Sequence, residues 1–344
     1  MSTTRMIRAK PGTGIFAFIV LITVAFAAVS AAAVAPPYQY FRVGNPANVR
    51  VSPRPGFALI GGGEDLDAAF QWLCERSRGG DFLILRASGT DAYNPYIKSL
   101  CRENSVATLV IPTRQAAMDP FVERAIGSAA AIFISGGDQS NYVNFWRGTP
   151  VERAINRAIR RGVPVGGTSA GLAVLGEFAY SAQNDAPNGP NLSSSAALAN
   201  PFNRQVVIVR NFLAIPTLKG IITETHFHER DRLGRLLVFM ARILQSGNVK
   251  RIRGIGIDQH TAFLLDPDGR GVAAGTGAVY FFEPSRKPAV CRPGIPLTFA
   301  GISVRKLVSG ERFNVEDWSG HGVTYTLSVD SDAVRSTQPG SATY

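Results

Sequence analysis

Gly162-Val163-Pro164-Val165-Gly166-Gly167-Thr168-Ser169-Ala170-Gly171 is the stretch on which the fold turns. A short apolar run leads into a glycine-rich turn and then into a helical pattern, and an amphipathic helix over about residues 151–161 precedes it. The same rhythm runs upstream. Phe57-Ala58-Leu59-Ile60 ends in Gly61-Gly62-Gly63, after which Leu66, Phe70 and Leu73 share one helical face. Residues 82–85 and 106–111 read as further buried strands, and Ala130-Ala131-Ile132-Phe133-Ile134 ends in Ser135-Gly136-Gly137-Asp138-Gln139. Continuous apolar strands alternating with amphipathic helices predict an α/β class, a parallel sheet with helices on both faces. Ligand chemistry in such sheets gathers where strands end and loops begin.

The second half is less regular. Residues 184–199 are rich in Asn, Pro, Ser and Ala and read as a long surface loop. Residues 221–242 predict a strand followed by a helix with Leu233, Leu236, Leu237, Met240 and Leu244 on one stripe. Past Arg251 strands dominate, completing the sheet and adding a C-terminal β extension. The resulting division is a leader over 1–35, an N-terminal extension over 36–56, one catalytic domain over 57–285 and the β extension over 286–344.

The chain has 344 residues, 45% hydrophobic and 18% charged, which excludes disordered or collagen-like material. Its formal charge of +11 would suit nucleic acid or an anionic membrane. The basic residues form no runs, however, and no zinc-finger or RNA-binding signature is present, so no nucleic-acid partner is expected. Arg5, Arg8 and Lys10 precede an uncharged stretch from Ile15 to Ala35 that ends in alanines. This is the pattern of a secretory signal peptide or an uncleaved anchor, and it implies a secreted, periplasmic or cell-envelope protein that meets a membrane only through that segment. Without residues 1–35 the charge falls to +8. The three cysteines, Cys74, Cys101 and Cys291, sit in apolar company and read as buried small side chains, at least one of them a free thiol. Only His226 and His228 have a spacing that would suit a metal, and alternation on an extended chain explains that pair, so no metal is expected. Gly61-Gly62-Gly63 lacks the spacing of a nucleotide loop, so no cofactor is expected.

Chemistry concentrates in three places. Gly167-Thr168-Ser169-Ala170-Gly171 matches G-x-S-x-G between a predicted strand and helix, the context that projects a serine hydroxyl above the sheet and aims the Ala170 N–H at a developing oxyanion. Gly136 and Gly137 end another strand, where the Gly137 N–H can supply the second oxyanion donor and Gln139 can contact substrate. A serine needs a base, and His226 and His228 fall in the most polar segment of the chain, residues 223–235, on the same face of an extended run. Arg230, Arg232 and Arg235 cluster at the start of the following helix, where cations oppose the macrodipole. Their retention there reads as a clamp for an anionic substrate.

Together, Gly136-Gly137-Asp138-Gln139, Gly166–Gly171, the His226–Arg235 segment and Ile255-Gly256-Ile257-Asp258 with Thr261-Ala262 resemble the cyanophycinase-like serine peptidases, in order over roughly residues 57–282. The resemblance implies a flavodoxin-like, three-layer, mostly parallel sheet related to class I glutamine amidotransferases. It implies Ser169 as nucleophile and His226, rather than His228, as base. Gln139, Glu224, Thr225, Arg230, Arg232 and Arg235 would line the substrate pocket. Two departures stand out: Glu224 replaces the family's usual Asp, and Gln259 occupies the place of the family's acid, with Asp258 beside it as the substitute. The activity implied is cleavage of cyanophycin to β-Asp-Arg dipeptides. The alternatives are an aspartyl or isoaspartyl dipeptidase and, from another class, a non-catalytic envelope protein that binds acidic peptides. An α/β-hydrolase esterase shares G-x-S-x-G but lacks here the upstream oxyanion loop of that fold. The substrate partner expected is an acidic peptide or cyanophycin-like polymer, and a homodimer is compatible with the sequence.

Overall fold

A computed structural model describes residues 35–186 and 189–344. The expected leader falls, but for its last residue, outside them. Among the described residues no helix is long and apolar enough to cross a membrane.

Five parallel strands form the centre: β2 (Phe57–Ile60), β3 (Asp81–Arg86), β4 (Ser105–Val110), β5 (Ala131–Ile134) and β6 (Val165–Thr168). Their order in space is β4-β3-β5-β6-β2. The first four places reproduce a flavodoxin-like winding, and β2, the first of the five in sequence, closes the far side of β6. β1 (Gln39–Gly44) pairs antiparallel with β4 at one edge. The strands read as unbroken apolar runs because both faces are covered. On one face α1 (Asp67–Ser77) and α2 (Tyr93–Leu100) seat Phe70, Leu73 and Ile97 against Ile84 and Phe133. On the other, α3 (Pro120–Ser128), α4 (Gln139–Trp146) and α5 (Pro150–Arg160) bury Ile126, Trp146 and Ile155 against Leu85, Ile134 and Val165. Asp119 and Thr149 cap α3 and α5, each followed by Pro at the first helical position, where its missing N–H costs nothing.

The strands after Arg251 do not all join that sheet. β11 (Thr261–Leu265) pairs antiparallel with β2 and continues through β12 (Arg270–Gly275), β16 (Arg312–Asn314) and β17 (Ser319–Gly320). A second sheet is built around β9 (Ile221–Glu224) and β10 (Arg253–Ile257), parallel to each other and joined by α8 (Leu233–Gln245). β7 (Phe178–Tyr180) lies beside β9 and β8 (Ile208–Arg210) beside β7, while β13 (Val279–Pro284), β15 (Ile295–Leu307), β18 (Val323–Asp330) and β19 (Ala333–Ser336) extend the sheet antiparallel beyond β10. β14 (Val290–Arg292) pairs with β15. The C-terminal strands therefore lengthen both sheets.

Two local expectations are corrected. Residues 184–199 are not all loop: α7 (Ser194–Ala199) packs Leu198 against Gly234 of α8, a contact that small polar neighbours conceal in the sequence. Cys74 and Cys101 are not separate thiols but a disulfide, their Cα atoms 6.1 Å apart where α1 and the end of α2 share a face. Cys291 is free and buried.

Candidate active site

The turn after β6 brings Ser169 out of the sheet. Its backbone sits at φ 52°, ψ −118°, a conformation costly for any residue with a side chain and characteristic of a sharp strand-to-helix elbow. The flanking glycines make the elbow possible by close approach. A Cβ on Gly171 would lie 2.0 Å from the Ile134 carbonyl oxygen, and one on Gly167 would meet the Gly171 carbonyl at 2.6 Å. The short helix α6 (Ala170–Ala173) follows at once. Ser169 is half-buried, with Gly136 directly beside it: a Cβ at Gly136 would stand 3.4 Å from the Ser169 Cβ. Among the described residues no protein group accepts from the Gly137 or Ala170 N–H, so both are free to bind an oxygen at this edge.

His226 comes from the second sheet, just past β9. Its Nε2 is 2.7 Å from Ser169 Oγ. The ring is 5% exposed, and its backbone holds φ 45°, fixed by its N–H donating to the Gly61 carbonyl at 2.8 Å. Gly61-Gly62-Gly63, which resembles a phosphate loop only in composition, thus backs the imidazole: a Cβ on Gly62 would reach 2.5 Å from Nε2. Burial, followed by the charges of Arg230 and Arg232, pushes the His226 pKa down from 6.5 to about 3, so the ring is neutral across the mildly acidic and neutral range. His228 is exposed and stacks on Tyr344, away from the serine.

Gln259 faces the other ring nitrogen, with its Nε2 2.8 Å from His226 Nδ1. Asp258 does not reach the ring. Its Oδ1 accepts from the His228 N–H at 3.0 Å and its Oδ2 from the Ala278 N–H at 2.9 Å, so it ties those two backbone segments together, and burial raises its pKa.

The residues expected to line the pocket separate into two groups. Glu224 is completely enclosed and receives a two-pronged bond from Arg235, Nε to Oε2 at 2.8 Å and an Nη to Oε1 at 2.9 Å. Arg232 adds a bond to Glu224 at 3.3 Å and donates to the Thr225 hydroxyl at 2.7 Å and its carbonyl at 3.1 Å. Burial alone would raise the Glu224 pKa, but Arg235 and then Arg232 hold it below the ordinary value. Arg235, 2% exposed, and Glu224 are therefore partners of each other rather than open ligands for a substrate carboxylate, which corrects the reading of three arginines as one open clamp. The charge that compensates Arg232 and Arg235 comes from the preceding strand. Arg230 is exposed and, among the described residues, makes no ion pair. Gln139 is half-exposed at the first turn of α4, beside Gly137.

Sequence reasoning missed three contributors. Glu229 Oε2 accepts from the Gln259 N–H at 3.0 Å, Tyr142 bonds the turn that carries Gly137, and Tyr344 braces the loop after His226. Only Glu229 carried a local signal, its place in the polar 223–235 segment.

Known proteins resemble the chain in sequence and in fold. Residues 59–204 match the family described as peptidase family S51, a stretch that contains Ser169 and stops before His226. A cyanophycinase of Nostoc sp. (strain PCC 7120 / SAG 25.82 / UTEX 2576) is 27% identical over 252 residues, 67% of this chain and 78% of its own length. One from Synechococcus elongatus is 29% identical over 238 residues, covering 65% of this chain and 67% of its own. The crystal structure of a peptidase from an acI-B1 Actinobacterium superposes with a TM-score of 0.50 at 18% identity, over 76% of this chain and 98% of the other, and shares the fold. The chain thus resembles the cyanophycinase-like serine peptidases of family S51.

Proposed function

We propose that the protein is exported and hydrolyses peptide or isopeptide bonds next to aspartate, with cyanophycin or a cyanophycin-like polymer as substrate. The observation that carries the reading is the 2.7 Å approach of Ser169 Oγ to Nε2 of a neutral, buried imidazole. Ser169 transfers its proton to His226 Nε2 as Oγ bonds to the scissile carbonyl carbon, and the oxygen of that carbonyl takes the charge between the Gly137 and Ala170 N–H groups. His226 then gives the proton to the departing nitrogen, the C–N bond breaks, and an acyl ester remains on Ser169. A water attacks the ester, passing its proton through His226 back to Oγ, and the acid leaves. Arg230 is the guanidinium free to bind an aspartate carboxylate, and Gln139 a second polar contact. The names of the relatives support the polymer as substrate. Export is supported by the N-terminal sequence and by the Cys74–Cys101 disulfide, a bond that persists in oxidising compartments.

The Gln259 contact favours one second reading, a pocket that binds acidic peptides without cleaving them, since no carboxylate faces His226 Nδ1. Incubation of the protein with insoluble cyanophycin and with α- and β-aspartyl dipeptides separates the cases. Release of β-Asp-Arg that stops in Ser169→Ala supports the proposal. Cleavage of dipeptides alone selects a dipeptidase, and binding with no turnover of either selects the non-catalytic reading.

A further inference from the structure

The geometry points to Tyr142 as the positioning residue for the oxyanion-binding peptide: it holds the Gly136 carbonyl on the buried side of the turn and thereby directs the Gly137 N–H toward Ser169. This rests on the reading of Ser169 as nucleophile.

Tyr142 lies in α4, 1% exposed, its ring stacked on Trp146 at 4.4 Å between centroids. The phenolic oxygen reaches back under the strand end that α4 follows. It is 2.8 Å from the Ser135 carbonyl oxygen and 3.1 Å from that of Gly136. Ser135 Oγ, 3.2 Å from the same Gly136 oxygen, supplies a second hydroxyl donor. A trans peptide is planar, and its C=O and N–H point in opposite directions. The single phenolic proton is shared between the Ser135 and Gly136 carbonyl oxygens, and a Gly136 carbonyl held by that shared bond and by Ser135 Oγ turns the N–H of the same peptide, that of Gly137, the opposite way. Ser169 borders the same turn, its Oγ 3.9 Å from where a Gly136 Cβ would stand.

The tether has a task to do. The peptide lies between two glycines, and Gly137 holds φ +139°, a conformation that side chains other than hydrogen rarely allow. Such a peptide meets little steric resistance to flipping, and a flip would aim a carbonyl oxygen at the position where negative charge develops. Oxyanion donors help in proportion to their being oriented beforehand. Burial pushes the Tyr142 hydroxyl up to about 12, so its proton is present throughout the working range.

Tyr142→Phe removes the oxygen and keeps the ring stack. The expected result is a fall in kcat of about 10- to 100-fold, below the loss seen when an oxyanion donor is itself deleted, with KM little changed. A substrate-like peptide aldehyde, whose adduct on Ser169 places an oxyanion in the hole, should lose affinity by a similar factor. Binding of the uncleaved substrate in a Ser169→Ala background should not change. Adding Ser135→Ala to Tyr142→Phe should deepen the loss. Unchanged kcat and unchanged aldehyde affinity in Tyr142→Phe overturn the assignment, as does a loss that falls on KM or on thermal stability alone. A fluorophosphonate that fails to label Ser169 in the unaltered protein overturns the nucleophile reading as well. Labelling at the normal rate in both forms, with normal turnover, overturns only the role of Tyr142.

Discussion

The side-chain amide of Gln259 meets Nδ1 of His226 at 2.8 Å, on the side of the ring away from Ser169. An amide can serve this contact in two ways. With its nitrogen toward the ring it donates to Nδ1, and the ring proton sits on Nε2, facing Ser169. Turned by half a revolution, it offers Oε1, fixes the proton on Nδ1 and leaves Nε2 free to act as base. A carboxylate allows only the second arrangement and also stabilises the imidazolium. Gln259→Glu should therefore raise kcat by about tenfold or more, given the large cost of losing a triad acid in serine hydrolases. Steady-state kinetics on a dipeptide or polymer substrate reads this out, and an unchanged or lower kcat would remove Gln259 from the machinery.

The low pKa of His226 gives a pH signature. Neutral His226 is the working form, and it takes its proton only near 3 rather than 6.5. The kcat/KM profile should accordingly show no histidine inflection between about pH 7 and pH 4. In Gln259→Glu the new carboxylate raises the imidazole pKa, so an acid limb should move up into that window. Stability follows the same shift. The unfolded chain binds a proton near 6.5 and the folded chain does not until about 3, so this contribution is complete above 6.5 and is lost as pH falls from there toward 3. Urea unfolding at a series of pH values measures the slope. A kcat/KM inflection near 6.5 in the unaltered protein would contradict the assignment.

Glu224 and Arg230 should separate stability from binding. Glu224→Gln strips the charge from an enclosed carboxylate that neutralises Arg235 and Arg232, leaving buried guanidinium groups uncompensated. Breaking such a pair typically costs about 3–5 kcal/mol. The carboxylate's pKa is held below 4.5, so its contribution is present above that value and is lost as pH falls through the lowered one. Arg230→Ala, in contrast, breaks no ion pair among the described residues, and it should raise KM with little change in the unfolding midpoint. Equal effects of the two substitutions on stability would refute this division of labour.

The difference between those residues also marks where sequence reading stops. The five central strands and their helices were legible because burial on both faces leaves unbroken apolar runs, as in Phe57–Ile60 and Ala131–Ile134. Ser169 was legible because an elbow needs glycines at fixed offsets. The partner of Arg235 was not, since Glu224 lies eleven residues away along the chain and meets it only when β9 and α8 pack. Pairing of Cys74 with Cys101 likewise depends on α1 and α2 sharing one face of the sheet, which periodicity does not specify. The division of the late strands between two sheets depends on register, which apolar content alone leaves open.

That disulfide should matter to stability and little to turnover. It closes 27 residues between α1 and the end of α2, across the sheet face remote from α4 and α5. A native crosslink of this kind contributes about 2–4 kcal/mol, chiefly by restricting the unfolded chain. Cys74→Ser with Cys101→Ser should lower the urea midpoint accordingly while kcat/KM under folding conditions stays within about twofold. A large loss of kcat with an unchanged midpoint would point instead to a direct link between this face and the site.

Tyr344 makes a longer-range brace testable. Its hydroxyl accepts from the Leu233 N–H at 3.0 Å and donates to Asp231 Oδ1 at 2.8 Å, while its ring stacks on His228 at 4.7 Å and meets Phe227 edge-on at 5.4 Å. One residue 111 positions away thereby satisfies a free N–H at the start of α8 and secures both sides of the turn that carries Arg230. Tyr344→Phe keeps the ring contacts and should cost about 1 kcal/mol for the lost bonds. Tyr344→Ala also removes the stack, so it should cost more and raise KM, because the loop from Phe227 to Arg232 then loses its outer wall. Unfolding curves and KM measured on both variants distinguish the two contributions. If Tyr344→Ala matches the unaltered protein in both, Tyr344 does not brace this loop.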